Sequence, residues 1–120
     1  MPRFAILCHE GPRGLHWDLL LEAGETLKTW ALPQVPEANV EIPCEALPDH
    51  RLAYLDYEGP VAGGRGSVVR WDRGTYEIER QRESEWSVVL AGEKIRGPVV
   101  LRRGPGESTH WRLLLPLSPP

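Results

Sequence analysis

Glycine and proline interrupt this sequence every few residues, and that punctuation restricts the fold more than any other feature. The 120 residues include 12 glycines and 12 prolines. Proline lacks the backbone N–H that a helix interior or an inner strand needs, and glycine favours turns. We therefore predict short strands joined by turns, in one small globular domain whose core is limited.

Apolar and alternating runs mark the predicted strands. Residues 33–48 contain four prolines and are predicted to be irregular, with one short strand at 39–42. Residues 72–74 are predicted to form a turn. Turns about every 8–12 residues are typical of a sandwich or a barrel. The longer strands are predicted at 3–8, 17–22, 26–32, 67–71, 75–79, 85–90, 94–102 and 111–115.

Charge and cysteine content exclude several classes of protein. The net charge of −3 argues against a broad electrostatic grip on nucleic acid, so any phosphate contact must come from a local cluster. The two cysteines, Cys8 and Cys44, do not make a disulfide framework. No signal peptide and no apolar run of membrane-spanning length are visible. We expect a cytoplasmic protein without a membrane partner.

Two histidines and one carboxylate lie within ten residues of each other near the start of the chain. His16 and Asp18 are two residues apart, so on a strand their side chains leave the same face. A turn through residues 11–14 would bring His9 back beside them. Two imidazoles and a carboxylate can bind a metal and leave positions open for water and substrate. Ordinary loop and strand histidines explain the same spacing. A metal hydrolase or oxygenase that acts on a small substrate is a further alternative, since two histidines and a carboxylate also suit non-haem iron.

Four further residues carry candidate chemistry. Lys28 lies on the predicted strand 26–32, where it either points towards the metal side or is a solvated strand lysine. His50 and Tyr54 are four residues apart and share a face in either a helical turn or an extended segment. Arg65 lies in the glycine-rich loop of residues 59–66.

Five blocks of this sequence, in order, resemble the 3′-phosphoesterase domain of bacterial DNA ligase D. They are GLHWDLLLE with LKTWALP, then DHRLAYLDYEG, VVRWDRGTYE, LAGEKIRGPVVL and WRLLL. The family reads close to LHYDFRLE, LKSWAVPKGP, DHPLEYADFEG, VIVWDRGTW and HGEKLKGRWALVR. Blocks in register over nearly the whole chain are far more specific than any single motif.

The resemblance implies a fold, a cofactor and a reaction. The fold is an all-β, small closed antiparallel β-barrel over residues 1–120, with a crevice that holds a divalent metal, typically Mn²⁺. The implied metal ligands are His9, His16 and Asp18, and His50 and Tyr54 are the implied catalytic or phosphate-contacting residues. The implied activity heals DNA or RNA-tailed DNA 3′ ends in double-strand break repair, beside a DNA ligase or polymerase. It removes a 3′-ribonucleoside and then the 3′-phosphate, and it leaves a 3′-hydroxyl.

The sequence also departs from the family pattern at basic positions. Leu20 stands where the family has an arginine two residues after the metal-binding aspartate, and Gln34 replaces a lysine. Arg13, Lys28 and Arg65 are the local candidates to bind substrate and compensate, together with Arg51. The alternative for each of them is a solvated surface charge. The alternative function is a weakened or inactive phosphoesterase-like module that binds DNA ends or a repair partner.

Overall fold

Antiparallel strands form most of the described structure. The computed structural model describes residues 1–12, 14–106 and 108–116. A short 3₁₀ turn, Leu52–Leu55, separates the fourth and fifth strands of this part of the chain. The strands are β1 (Arg3–Gly11), β2 (Gly14–Ala23), β3 (Thr26–Leu32), β4 (Ile42–Arg51), β5 (Gly59–Pro60), β6 (Ser67–Arg82), β7 (Glu85–Gly92), β8 (Arg96–Arg103) and β9 (His110–Leu114).

Eight of these strands close into a ring. Their order is β1-β2-β3-β4-β9-β8-β7-β6, and β6 returns to pair with β1 along Ser67–Thr75. The two-residue strand β5 adds to β6 on the outside of this order. Closure leaves few unpaired strand edges, which suits a small all-β domain. The predicted all-β class and closed antiparallel arrangement are confirmed. The described residues include no helix with the length and apolar character needed to traverse a lipid bilayer.

Apolar side chains form two separate clusters because successive strand residues point to opposite faces. The larger cluster draws on strands from all round the ring and includes Phe4, Ile6 and Trp30. The smaller one lies on the other face of β1 and β2, where the segment 52–61 covers it. Its buried members are Ala5, Leu7, Leu20, Leu27, Leu55 and Val68. This second cluster lies on the same face of β1 and β2 as His9, His16 and Asp18.

The prediction of an irregular segment at 33–48 is wrong for its second half. Strand β4 begins at Ile42 and contains Pro43 and Pro48, although it lies between β3 and β9. Both prolines avoid a loss of ladder hydrogen bonds: Pro43 lies beyond the residues that pair with β3, and Pro48 lies in a bulge of that pairing. The short strand predicted at 39–42 is absent from the described structure, where Ala38 makes an isolated bridge to Leu115.

The predicted turn at 72–74 is also wrong, because β6 runs through it without reversing. The chain changes partner there instead, from β1 to β7. Gly74 is needed for close approach, since a Cβ at that position would lie 2.0 Å from the Ala91 carbonyl oxygen. Buried Asp72 accepts four backbone N–H groups, from Arg73 and from residues 93–95. Asp72 therefore does not form a turn here; its side chain binds the backbone N–H groups of residues 93–95 and of Arg73.

We predict that Asp72→Asn destabilises the fold strongly. Replacing one carboxylate oxygen by an amide N–H₂ puts a donor against backbone donors, at a cost of about 2–4 kcal/mol. Urea denaturation measures the loss. The control is Asp56→Asn, which removes an exposed carboxylate paired with Arg3, and a larger effect there than at Asp72 would contradict the prediction.

Candidate metal centre

The hairpin between β1 and β2 brings the two histidines face to face. Gly11 pairs with Gly14 at its end, and Gly14 has a φ of 103°, which favours glycine. In this register His9 is directly opposite His16, and their ring centroids are 4.5 Å apart. Asp18 follows His16 by two residues and therefore shares its face. The register thus collects all three side chains on one face of two adjacent strands.

The potential ligand atoms of these residues lie close together. One nitrogen or oxygen from each of His9, His16 and Asp18 falls within a set whose members are all within 4.8 Å of one another. His9 Nδ1 lies 3.3 Å from Asp18 Oδ2, and His16 Nε2 lies 3.1 Å from Asp18 Oδ1. The Asp18 side chain is only 4% exposed. Its Oδ1 accepts no well-directed hydrogen bond from the described residues, so a buried carboxylate oxygen is left unsatisfied.

The hydrogen bonds of His9 show that this set suits a cation. His9 Nε2 lies 2.7 Å from the backbone carbonyl oxygen of Arg65. A carbonyl can only accept, so Nε2 is the donor, and in a neutral ring Nδ1 then carries a lone pair. That lone pair faces Asp18 Oδ2, which is also an acceptor. Two facing acceptors need a positive charge between them, from a second ring proton or from a metal ion. Two imidazoles and a carboxylate supply the mixed nitrogen and oxygen ligands that divalent transition metals bind.

The cysteine next to His9 does not join this set. Cys8 pairs with Trp17, one residue out of step with His9 and His16, so its side chain leaves the opposite face. Burial, with a smaller effect of Glu10, raises the pKa of the Cys8 thiol. Burial also raises the pKa of Cys44 to about 12. Both thiols are therefore disfavoured as thiolates, and neither belongs to the candidate ligand set.

A cleft of about 410 Å³ opens beside the three residues and contains both predicted catalytic side chains. His50 ends β4, and Tyr54 lies in the following 3₁₀ turn, with their ring centroids 5.7 Å apart. The cleft is also lined by His9 and Asp18. His50 Nδ1 donates to the Pro48 carbonyl oxygen at 2.9 Å. This bond sets the ring tautomer and leaves Nε2 without a partner among the described residues.

Only some of the basic residues predicted to bind substrate line the cleft. Arg65 lines the cleft, and so does the exposed Arg51, which follows His50 directly. Lys28 does not reach it: Lys28 pairs with the interior residue Leu21, on the face opposite Asp18, and forms an ion pair with Asp49 at 3.5 Å. Of the two alternatives for Lys28, the structure agrees with the solvated strand lysine and not with a side chain directed to the metal side, because Lys28 leaves the face of β3 opposite to that of Thr29 and Ala31. The prediction that Lys28 binds substrate is therefore not supported. Arg13 lies outside the described residues.

Leu20 shares the face of His16 and Asp18, as its spacing predicts, but it is fully buried. It packs in the smaller apolar cluster beneath Leu55 and Val68. No basic side chain occupies this position. Among the described residues of the smaller apolar cluster, none is a cation that could replace the arginine of the family pattern. The positive groups of the cleft are at its rim instead, at Arg51 and Arg65.

Comparison with known proteins identifies the family of this chain. Residues 8–103 match the family model described as the DNA ligase D 3′-phosphoesterase domain. The multifunctional non-homologous end joining protein LigD of Pseudomonas aeruginosa is 35% identical over 93% of this chain. The LigD proteins of Mycobacterium tuberculosis and Mycolicibacterium smegmatis are 34% and 33% identical over 87% and 88% of it.

The chain belongs to the DNA ligase D 3′-phosphoesterase domain family, since the family model covers well over half of its residues. It spans about 15% of the length of the curated relatives it matches. The similarity therefore concerns one domain of those larger proteins. The prediction of family membership from the sequence blocks is confirmed.

We predict that Asp18→Asn abolishes stabilisation by a divalent metal. A bound metal at about 100 times its Kd adds about 2.7 kcal/mol to the stability of the folded state. The variant keeps the volume of the side chain and loses its charge, so its midpoint in urea should not respond to Mn²⁺. Asp49→Asn is the control, because Asp49 is an exposed acid of the same cleft. Equal Mn²⁺ responses in wild type and Asp18→Asn would contradict the assignment.

Proposed function

We propose that this protein is a divalent-metal-dependent phosphoesterase that acts on DNA 3′ ends. It removes a 3′-terminal ribonucleoside and the 3′-phosphate, and it leaves a 3′-hydroxyl for ligation or extension. The observation that carries the proposal is the convergence of His9, His16 and the buried Asp18 carboxylate at the edge of a cleft that is also lined by His50 and Tyr54. The Oδ1 atom of Asp18 accepts no well-directed hydrogen bond from the described residues. Membership of the 3′-phosphoesterase domain family supports the choice of substrate.

The proposed roles follow from the chemistry of each side chain. His9, His16 and Asp18 would hold a divalent metal, with Mn²⁺ as our proposal. Such an ion supplies a Lewis acid for a phosphoryl oxygen and an activated water. Because His50 Nδ1 donates to the Pro48 carbonyl oxygen, Nε2 is left free to face the substrate. In its cationic form, with both ring nitrogens protonated, His50 can donate the Nε2 proton to the leaving oxygen. The Tyr54 hydroxyl can donate to a phosphate oxygen, and Arg51 and Arg65 attract the DNA backbone to the cleft.

The surroundings of the cleft fit an anionic substrate only weakly, and this supports a second candidate function. The site has basic groups at its rim, whereas the position of the family's arginine is the fully buried Leu20. Each charge-assisted hydrogen bond to a phosphate that is missing forgoes roughly 1.5–3 kcal/mol. The second candidate is therefore a module that binds DNA ends, or a ligase or polymerase partner, with little or no turnover.

Cleavage of defined primers tests the first function. One primer ends in a single ribonucleotide and another in a 3′-phosphate, each with Mn²⁺ and with a chelator. We expect metal-dependent conversion to a 3′-hydroxyl end and none with the chelator. Conversion that continues at the same rate in the chelator would contradict the proposal.

Turnover and metal binding should separate in the His50→Ala variant. If His50 acts as the proton donor, its loss lowers kcat by about 10²–10⁴-fold, while the affinity for Mn²⁺ stays the same because His50 is outside the ligand set. His110→Ala removes an exposed histidine of β9 and serves as the control. A His50→Ala enzyme with unchanged kcat would remove His50 from the mechanism.

The second function has a distinct signature with the same primers. Fluorescence anisotropy would report binding of the 3′ end, and the product assay would show no cleavage with any divalent metal. Binding of a blunt 3′-hydroxyl end as tightly as a 3′-phosphate end would further indicate an end-binding module. Efficient metal-dependent turnover, with a kcat of about 1 s⁻¹ or more, would exclude it.

A further inference from the structure

We propose that the loop Val61–Gly66 is a positioning element for His9, and that Arg65 acts on His9 through its backbone carbonyl and not through its guanidinium. This inference rests on the proposed metal centre, since it concerns how one of its ligands is oriented. The loop would fix which ring nitrogen of His9 carries the proton, and so which nitrogen is available to the metal.

The competition for the single ring proton of a neutral His9 is decided by distance. Nε2 lies 2.7 Å from the Arg65 carbonyl oxygen, a normal hydrogen-bond length, whereas Nδ1 lies 3.3 Å from Asp18 Oδ2. The proton therefore belongs on Nε2, and the Nδ1 lone pair is directed to the carboxylate and the proposed metal. Histidine ligands of metals commonly donate their other ring N–H to such a carbonyl, which fixes both the tautomer and the ring orientation.

The Arg65 carbonyl reaches His9 because the next residue is a glycine pressed against β1. Gly66 has a φ of 87°, and a Cβ there would lie 1.9 Å from the Glu10 carbonyl oxygen and 2.6 Å from Gly11 Cα. Backbone atoms of β1 cannot yield as a flexible side chain can. Only glycine permits the loop to approach the strand this closely. Gly11 has a similar but weaker requirement, since its Cβ would lie 3.0 Å from the Arg65 oxygen.

A backbone hydrogen bond at the base of the loop holds this approach in place, and the Arg65 side chain is not needed for it. The Val61 N–H donates to the Gly66 carbonyl oxygen at 2.7 Å and closes the loop at its base. Arg65 Nε donates to the Ala62 carbonyl oxygen at 2.8 Å, so the side chain is folded back onto its own loop. The closed backbone of the loop, with glycine at position 66, therefore fixes the direction of the Arg65 carbonyl. The guanidinium is left at the rim of the cleft for a separate role.

Gly66→Ala tests the inference against a matched change in the same loop, Gly64→Ala. Both glycines have a positive φ, 87° and 68°, but a Cβ at Gly64 meets nothing within 4 Å. Backbone strain is thus common to both variants, and only Gly66→Ala pushes the loop away from β1. We expect Gly66→Ala to weaken Mn²⁺ binding by about 10–100-fold, the usual effect of losing such a supporting hydrogen bond, and Gly64→Ala to leave it unchanged.

The ring tautomer supplies a readout that does not require the metal. Long-range ¹H–¹⁵N spectra of the metal-free protein, in mildly alkaline buffer where imidazole is neutral, should show His9 protonated on Nε2 in wild type and in Gly64→Ala. Gly66→Ala should shift His9 towards a mixture of the two tautomers. If Gly66→Ala does not fold, the milder Gly11→Ala takes its place with the same expected direction.

Arg65→Ala distinguishes the effect of the Arg65 backbone carbonyl from that of its guanidinium. It keeps the carbonyl, so the Nε2–H tautomer and the Mn²⁺ affinity should match wild type. An unchanged tautomer in Gly66→Ala, or a changed one in Arg65→Ala, would overturn the inference. If wild type neither binds Mn²⁺ nor cleaves 3′ ends, the proposed function fails, whereas the tautomer measurement in the metal-free protein still decides the inference by itself.

Discussion

The register of the β1–β2 hairpin is the constraint on which the site depends. Because side chains alternate with a period of two, a slip of one residue would send His16 and Asp18 into the ring and bring Trp17 outwards. The pairing of Gly11 with Gly14 fixes where the reversal occurs, and His9 then meets His16 directly. The same register places Phe4 and Ile6 in the larger apolar cluster. The core and the site therefore specify one another: the apolar face of the hairpin can be buried only in the arrangement that collects the polar residues on the other face.

The second apolar cluster explains how a carboxylate can be buried on the outer face of a strand ring. The outer face of a closed sheet is normally solvated, yet the segment 52–61 covers Leu7, Leu20 and Val68. Asp18 borders this covered area and is only 3% exposed. A carboxylate in such a place is costly unless it is paired or binds a cation. The segment that carries Tyr54 thus also creates the surroundings in which Asp18 favours a positive partner. One segment of the chain would therefore support both the proposed metal site and the proposed phosphate contact.

Local rules predicted the parts of this structure in which sequence neighbours stay neighbours in space. The hairpins, the shared face of His16 and Asp18, and the closeness of His50 and Tyr54 follow from even spacing or from one turn. Strand β4 was missed because proline content cannot show that Pro43 lies beyond the β3 partner and Pro48 in a bulge. The role of Asp72 was not predictable because three of its four N–H partners, residues 93–95, lie far along the chain. Its sequence neighbours alone indicated a turn. The carbonyl of Arg65 carries no side-chain signal, so its contact with His9 was beyond any pattern of residue types.

Leu20 lies where the covering segment changes the surroundings of the site face. In the alternation it belongs with His16 and Asp18, but the covering segment turns that position from a cleft wall into a floor packed by Leu55 and Val68. An arginine could occupy it only if its charged head reached past this cover to an anion, since an unpaired buried charge is strongly unfavourable. Leucine removes that demand and adds apolar contacts under Tyr54. Leu20 therefore strengthens the support of the cleft at a position from which an arginine could have held a phosphate. The anion binding that we propose would then fall to the exposed arginines at the rim, where it would be more sensitive to salt.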